Sequence, residues 1–177
     1  MKKILLTLSM TALLLFTAGC SCPFSDKTAD SKPQMNTAAA SAAEVAPDFS
    51  YKELGSGKTM RLSDLKGKPV FINFWATWCP PCVGELPHIE KKYAEYKDKM
   101  HFVILSVDDN EQEPARFIQS KGYTFPAAYG DHQELGRAYG IDAIPASYII
   151  SADGHIVARI VGSMNESSLD AFLQKAF

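Results

Sequence analysis

The sequence predicts an α/β domain, a central parallel or mixed sheet flanked by helices, and three observations carry that reading. The run Val70 to Trp75 is apolar except for Asn73, the pattern of a strand covered on both faces. It passes through a turn into a helical pattern opened by Pro80 and Pro81, and a second apolar run, Met100 to Val107, completes a βαβ order. Two more strand patterns, Ala146 to Ile150 and His155 to Val161, flank the turn Ser151-Ala152-Asp153-Gly154 and precede a last amphipathic stretch.

The remaining elements follow in order. Phe49 to Leu54 and Thr59 to Leu62 flank Gly55-Ser56-Gly57-Lys58, which reads as a hairpin, and Ser63 to Lys68 turns the chain into the first central strand. From Pro80, Val83, Leu86, Ile89, Tyr93 and Tyr96 recur at helical spacing up to the basic turn Lys97 to Lys99, with a kink expected at Pro87, which lacks a backbone donor. Asp108-Asp109-Asn110 reads as a turn and cap for a helix over Glu111 to Lys121. A short extended piece, Tyr123 to Tyr129, leads to a small helix capped by Asp131 and stopped at Gly140; Asn165 caps the final helix.

With 177 residues, 46% hydrophobic and 21% charged, the chain fits one globular domain, residues 46–177, plus an N-terminal part that is not domain. Met1-Lys2-Lys3 followed by the apolar run Ile4 to Phe16 reads as a signal peptide over residues 1–19, since about twenty residues are needed to span a bilayer. Thr17-Ala18-Gly19-Cys20 resembles the bacterial lipobox, which makes Cys20 a lipid-attachment site; Thr17 departs from the usual aliphatic residue. Ordinary cleavage nearby, leaving Cys20 and Cys22 as spare thiols, is the alternative. Residues 20–45 are rich in Ala, Ser and Thr with almost no bulky apolar side chains, and read as a disordered tether of about 25 Å root-mean-square span. The protein is thus expected to be exported and lipid-anchored on the extracytoplasmic side of a bacterial membrane. Its net charge of −2 offers no basic face for nucleic acid.

Trp75-Ala76-Thr77-Trp78-Cys79-Pro80-Pro81-Cys82 carries the chemistry. Two cysteines spaced by two residues at a helix start form a dithiol whose thiolate the helix dipole and free amides favour. Pro80 and Pro81 have no N–H, so the first donor inside the motif able to reach the Cys79 sulfur is the Cys82 amide. Cys79, nearer solvent, is the expected attacking thiolate, and Cys82, a turn inward, the resolving thiol. A zinc half-site would need two more ligands, which Cys20 and Cys22 across a tether and the scattered His88, His101, His132 and His155 do not supply by spacing.

The segment Phe74 to Cys82, the hairpin before it, the insert of about 25 residues after the second strand of the βαβ unit and Gly140-Ile141-Asp142-Ala143-Ile144-Pro145 together resemble the thioredoxin fold. More narrowly, from about Pro47 to Phe177 the chain resembles the exported TlpA/ResA/DsbE-like thiol-disulfide oxidoreductases linked to cytochrome c maturation. The resemblance implies a cis bond before Pro145, with the backbone of Ala143 and Ile144 free to pair with an extended substrate. Trp78 is then expected on the rim around Cys79, with Phe74, Trp75 and Tyr148 in packing. Asn73 stands where thioredoxins carry a buried Asp, and Glu85 matches a Glu of the resembled family. Glu85 is therefore expected to handle the proton of Cys82 and resist its ionisation, against the plainer reading of an acid complementing the helix dipole.

The implied function is reduction of disulfides in exported proteins, apocytochrome c among them, with electrons from a membrane thiol reductant and no cofactor beyond the Cys79–Cys82 disulfide. Electron direction depends on the pair's potential against its compartment. A disulfide-forming oxidase and a non-enzymatic thioredoxin-fold binding module are the alternatives. The Pro and Thr context of a peroxidatic cysteine is absent.

Overall fold

The computed structural model describes residues 44–177. The signal-peptide reading, Cys20 and all but the last two residues of the expected tether lie outside the described residues.

Eleven strands and helices follow in the expected order. They are β1 (Ser50–Glu53), β2 (Thr59–Arg61), β3 (Val70–Trp75), α1 (Pro80–Tyr96), β4 (His101–Ser106), α2 (Gln112–Lys121), β5 (Ala127–Tyr129), α3 (His132–Tyr139), β6 (Ala146–Ile150), β7 (Ile156–Val161) and α4 (Glu166–Leu173). The strands form one mixed sheet in the order β2-β1-β5-β4-β3-β6-β7. β3 and β4 pair in parallel across the α1 crossover, whereas β6 runs antiparallel to β3, and β7 to β6. The insert places β5 between β4 and the N-terminal hairpin, so the hairpin joins the sheet through β1 and β5. Glu44 and Val45 already belong to this body: Val45 bridges His155, and the Ile156 amide donates to the Glu44 carbonyl (2.7 Å).

Every residue of β3 is buried, because helices or aromatic side chains cover both faces. Alternation sends Phe71, Asn73 and Trp75 to one face and Val70, Ile72 and Phe74 to the other. The first set packs with Leu86 and Ile89 of α1 and with Leu169, Phe172 and Leu173 of α4. The second meets Leu135 and Tyr139 of α3 and Phe49 and Tyr51 of the hairpin segment. There Phe74, Tyr139 and Tyr148 form a mutually edge-on or tilted aromatic cluster. The Tyr148 hydroxyl donates to the Tyr139 carbonyl (2.6 Å) and that of Tyr139 to the Pro47 carbonyl (2.7 Å). Phe74 and Tyr148 are thus packing residues, as expected.

Local chemistry explains the helix ends. Asp131 Oδ1 accepts from the amides of Gln133 and Glu134, and Gly140 ends α3 at φ 59°, a left-handed conformation that costs glycine little. Asn165 caps α4 through the Ser168 amide. Pro87 sits inside α1 without ending it. Lys92, largely buried, pairs with Glu95 and with Asp170 of α4 (both 2.8 Å) and clasps the two helices together.

Candidate active site

The site is assembled at the end of the sheet where β3 finishes. Trp75 is fully buried against Phe117 of α2 (ring centroids 5.7 Å), so the strand stops on a fixed aromatic and the next residues leave the sheet. Thr77 is tied down by Asp108, just past β4. The Asp108 carboxylate accepts from the Thr77 amide (3.1 and 3.2 Å), the Thr77 hydroxyl (2.6 Å) and the Ser106 hydroxyl (2.7 Å). Asp108 is 0% exposed, and within the expected turn and cap Asp108-Asp109-Asn110 it is Asn110 that caps, its Oδ1 accepting from the Gln112 and Glu113 amides.

Removing this carboxylate would leave the Thr77 amide and two hydroxyls without their acceptor. Asp108→Ala is expected to lose about 2–4 kcal/mol, from about 1–3 kcal/mol per orphaned group offset by relief of a buried charge. Urea unfolding of the oxidised protein measures it, and a loss below about 1 kcal/mol would show that the loop holds itself.

Cys79 caps α1 in extended conformation, with Pro80 and Pro81 in the first helical positions that tolerate a missing N–H. Cys79 and Cys82 form a disulfide (S–S 2.04 Å), and the Cys82 amide lies 3.3 Å from the Cys79 sulfur, the one donor expected from the motif. Both cysteines are buried, at 4% and 1% exposure, so the expected solvent-facing Cys79 is only marginally the more open of the two. Packing by neighbouring backbone closes over it: the Ile144 carbonyl is 3.8 Å from Cys79 Sγ. In the disulfide this is a contact without a proton; a Cys79 thiol would donate there.

The Ile144–Pro145 bond is cis, and the Pro145 carbonyl accepts from the Gly162 amide (2.8 Å). Beside it lies a groove of about 470 Å³ lined by Trp78, Val107, His132, Ile141, Asp142, Ala143 and Ile144 among others. Trp78 is 65% exposed and lines this groove together with Ala143 and Ile144. Trp78, Ala143 and Ile144, named from sequence, thus line one groove, with Cys79 against the Ile144 carbonyl beside it; Val107 and His132 have no local sequence signal that ties them to the dithiol.

Glu85 is 1% exposed. It lies three residues after Cys82 on the same helical face, and alternation in β3 turns Asn73 toward it. Its Oε1 accepts from the Met164 amide (3.0 Å) and its Oε2 from Asn73 Nδ2 (3.4 Å). Burial pushes its carboxyl up to about 7, against the pull of those two hydrogen bonds. A carboxyl that titrates near neutrality beside the inner cysteine can take or give a proton under working conditions. This is more than a surface acid at a helix start would offer.

A dithiol of this geometry exchanges disulfides, which puts the protein in the class of thiol-disulfide oxidoreductases. Comparison with known proteins reaches the same class. Residues 40–173 match the family model described as Redoxin, and the chain belongs to that family. It is 37% identical over 131 residues to the thiol-disulfide oxidoreductase ResA of Bacillus thuringiensis (strain Al Hakam), covering 73% of this chain and 75% of that protein. Among solved structures it is similar to a thioredoxin-family thiol:disulfide interchange protein of Chlorobium tepidum TLS, with TM-score 0.69, 30% identity, and 78% and 99% of the two chains covered. It is also similar to the exposed lipoprotein thioredoxin of Streptococcus pneumoniae strain TIGR4, with TM-score 0.65, 27% identity, and 73% and 99% covered. The thioredoxin-like fold implied by the sequence motifs is the fold of these neighbours.

Proposed function

We propose that the protein is an extracytoplasmic, membrane-tethered reductase of disulfides in exported proteins, apocytochrome c among its candidate substrates. The observation that carries the proton chemistry of this reading is Glu85, buried next to Cys82 in sequence and face, with a carboxyl near neutrality. In the reduced enzyme the Cys79 thiolate attacks one sulfur of a substrate disulfide; a mixed disulfide forms and the other substrate sulfur leaves as thiolate. Cys82 passes its proton to Glu85 and attacks Cys79 Sγ, so the Cys79–Cys82 bond forms and the second substrate sulfur leaves, taking two electrons in all. A membrane thiol reductant then restores the dithiol. Extended substrate lies along Ala143 and Ile144 with side chains in the groove beside Trp78. Tethering through Cys20 is supported by the lipobox-like Thr17 to Cys20 and by similarity to a protein that is itself an exposed lipoprotein.

The test is a full-length Cys82→Ala protein in a bacterial host, isolated from the membrane fraction without reductant. The expected result is mixed disulfides through Cys79 with exported proteins that carry cysteine pairs, and loss of the membrane association when Cys20→Ala is added. Absence of any exported partner overturns the reductase reading. Retention in the membrane fraction without Cys20 overturns the anchor.

A further inference from the structure

Two buried polar atoms among the described residues have no hydrogen-bond partner, Asn73 Oδ1 and Trp75 Nε1. The first belongs to a small network around Glu85, of which the exchange chemistry proposed above uses only the carboxyl. Asn73 Nδ2 donates to Glu85 Oε2 (3.4 Å) and to Ser147 Oγ (3.0 Å) on the neighbouring strand β6, while its own oxygen, equally buried, accepts nothing. Asn73 and Ser147 are directly paired in the β3–β6 ladder, so their backbones hold the side chains in register. Leaving an amide oxygen orphaned in a core is costly, and a buried strand has many apolar residues to choose from that would avoid it.

The chemistry of an amide explains the arrangement. With both N–H groups turned to Glu85 and Ser147, Asn73 serves an ionised carboxylate. Half a turn about its last side-chain bond exchanges oxygen and nitrogen at nearly the same volume. The oxygen then accepts from a protonated Glu85 and from the Ser147 hydroxyl, which reverses from acceptor to donor. Either orientation makes two hydrogen bonds and leaves one amide atom unpaired, so the amide serves both protonation states, the ionised one the more strongly.

We propose that Asn73, backed by Ser147, is the positioning residue for the proton held at Glu85, its side-chain amide turning over as that carboxyl gains or loses its proton. The groups bonded to Glu85 are Asn73 Nδ2 of β3 and the Met164 amide ahead of α4, and on α1 Cys82 precedes it by three residues on the same face. Among the described residues no charged side chain contributes to its titration. An Asp at position 73 would put a second acid against Glu85 and split their titrations; an apolar residue would deprive the ionised form of a donor.

The experiment follows the Asn73 side-chain NH₂ signals by nitrogen–proton NMR between pH 5 and pH 9, alongside the Glu85 carboxyl carbon, in the disulfide form where neither cysteine titrates. The expected result is that both report one midpoint, that the Asn73 response vanishes in Glu85→Gln, and that Asn73→Leu moves the Glu85 midpoint up by about one pH unit, since a bond to a charged group is worth more than a neutral one. Asn73 signals that stay fixed while Glu85 titrates overturn the proposal, as does an Asn73 response that persists in Glu85→Gln. The wild-type titration decides the matter even if Asn73→Leu does not fold. A purely structural Asn73 would lower stability on substitution and leave the Glu85 midpoint unmoved.

Discussion

Replacing Cys79 by Ser is expected to lower reduction of insulin disulfides by at least about 10³-fold, because no other thiol in the groove can supply the attacking sulfur. The same change at Cys82 is expected to leave the first half of the reaction intact: one equivalent of substrate becomes covalently attached, and turnover then stops. This asymmetry follows from the fold. Cys79 contacts the Ile144 carbonyl at the groove edge, whereas Cys82 is covered by the helix and by β3. Stopped-flow release of the first substrate thiol, compared with steady-state turnover, separates the two variants. Equal single-turnover rates in both would place the attacking sulfur elsewhere.

The second large effect is on stability against pH. Glu85 has a carboxyl near 7 in the folded protein against an ordinary value of 4.5. Between those two pH values the folded chain holds a proton that the unfolded chain has lost. Stability is therefore highest below about pH 4.5 on this account, falls as pH rises and levels off above about 7, a span of about 3 kcal/mol. Glu85→Gln keeps the shape of the protonated acid without the titration. Its unfolding free energy should lack this decline, and above pH 7 the variant should be the more stable protein by up to about 3 kcal/mol. Urea unfolding of both oxidised proteins at pH 5 and pH 8 measures the difference, and parallel behaviour of the two would contradict the raised carboxyl. Turnover should move the opposite way, since Gln cannot accept the Cys82 proton. A gain in stability with a loss of rate is the signature of an ionisable group retained for chemistry.

Much of this site was legible in the chain because its signals are local. A proline pair directly after Cys79 announces both a helix start and the single amide left for the sulfur, and the structure has that amide 3.3 Å away. Alternation in Val70 to Trp75 turns Asn73 toward the helix that carries Glu85, and the motif ending in Ile144-Pro145 carried its cis bond with it. What stayed hidden depends on residues far apart in sequence. Asp108 reads as one of two turn acids; only the return of β4 beside β3 brings it to Thr77. Ser147 looks like any small residue of a buried strand until β6 aligns it with Asn73. The Met164 amide has no side-chain signature at all. The sheet order is of the same kind: nothing in Tyr123 to Tyr129 states that three of its residues will separate β4 from the hairpin.

The bridge between Val45 and His155 has a practical consequence. β7 starts there, next to Ile150 and Val70 at the foot of the sheet, and the dithiol stands past Trp75 at its head. Residue 44 therefore enters the domain at the pole opposite the cysteines. A bead, an electrode or an affinity handle joined ahead of Glu44 would hold the domain by its base, leaving the groove beside Trp78 turned toward arriving clients.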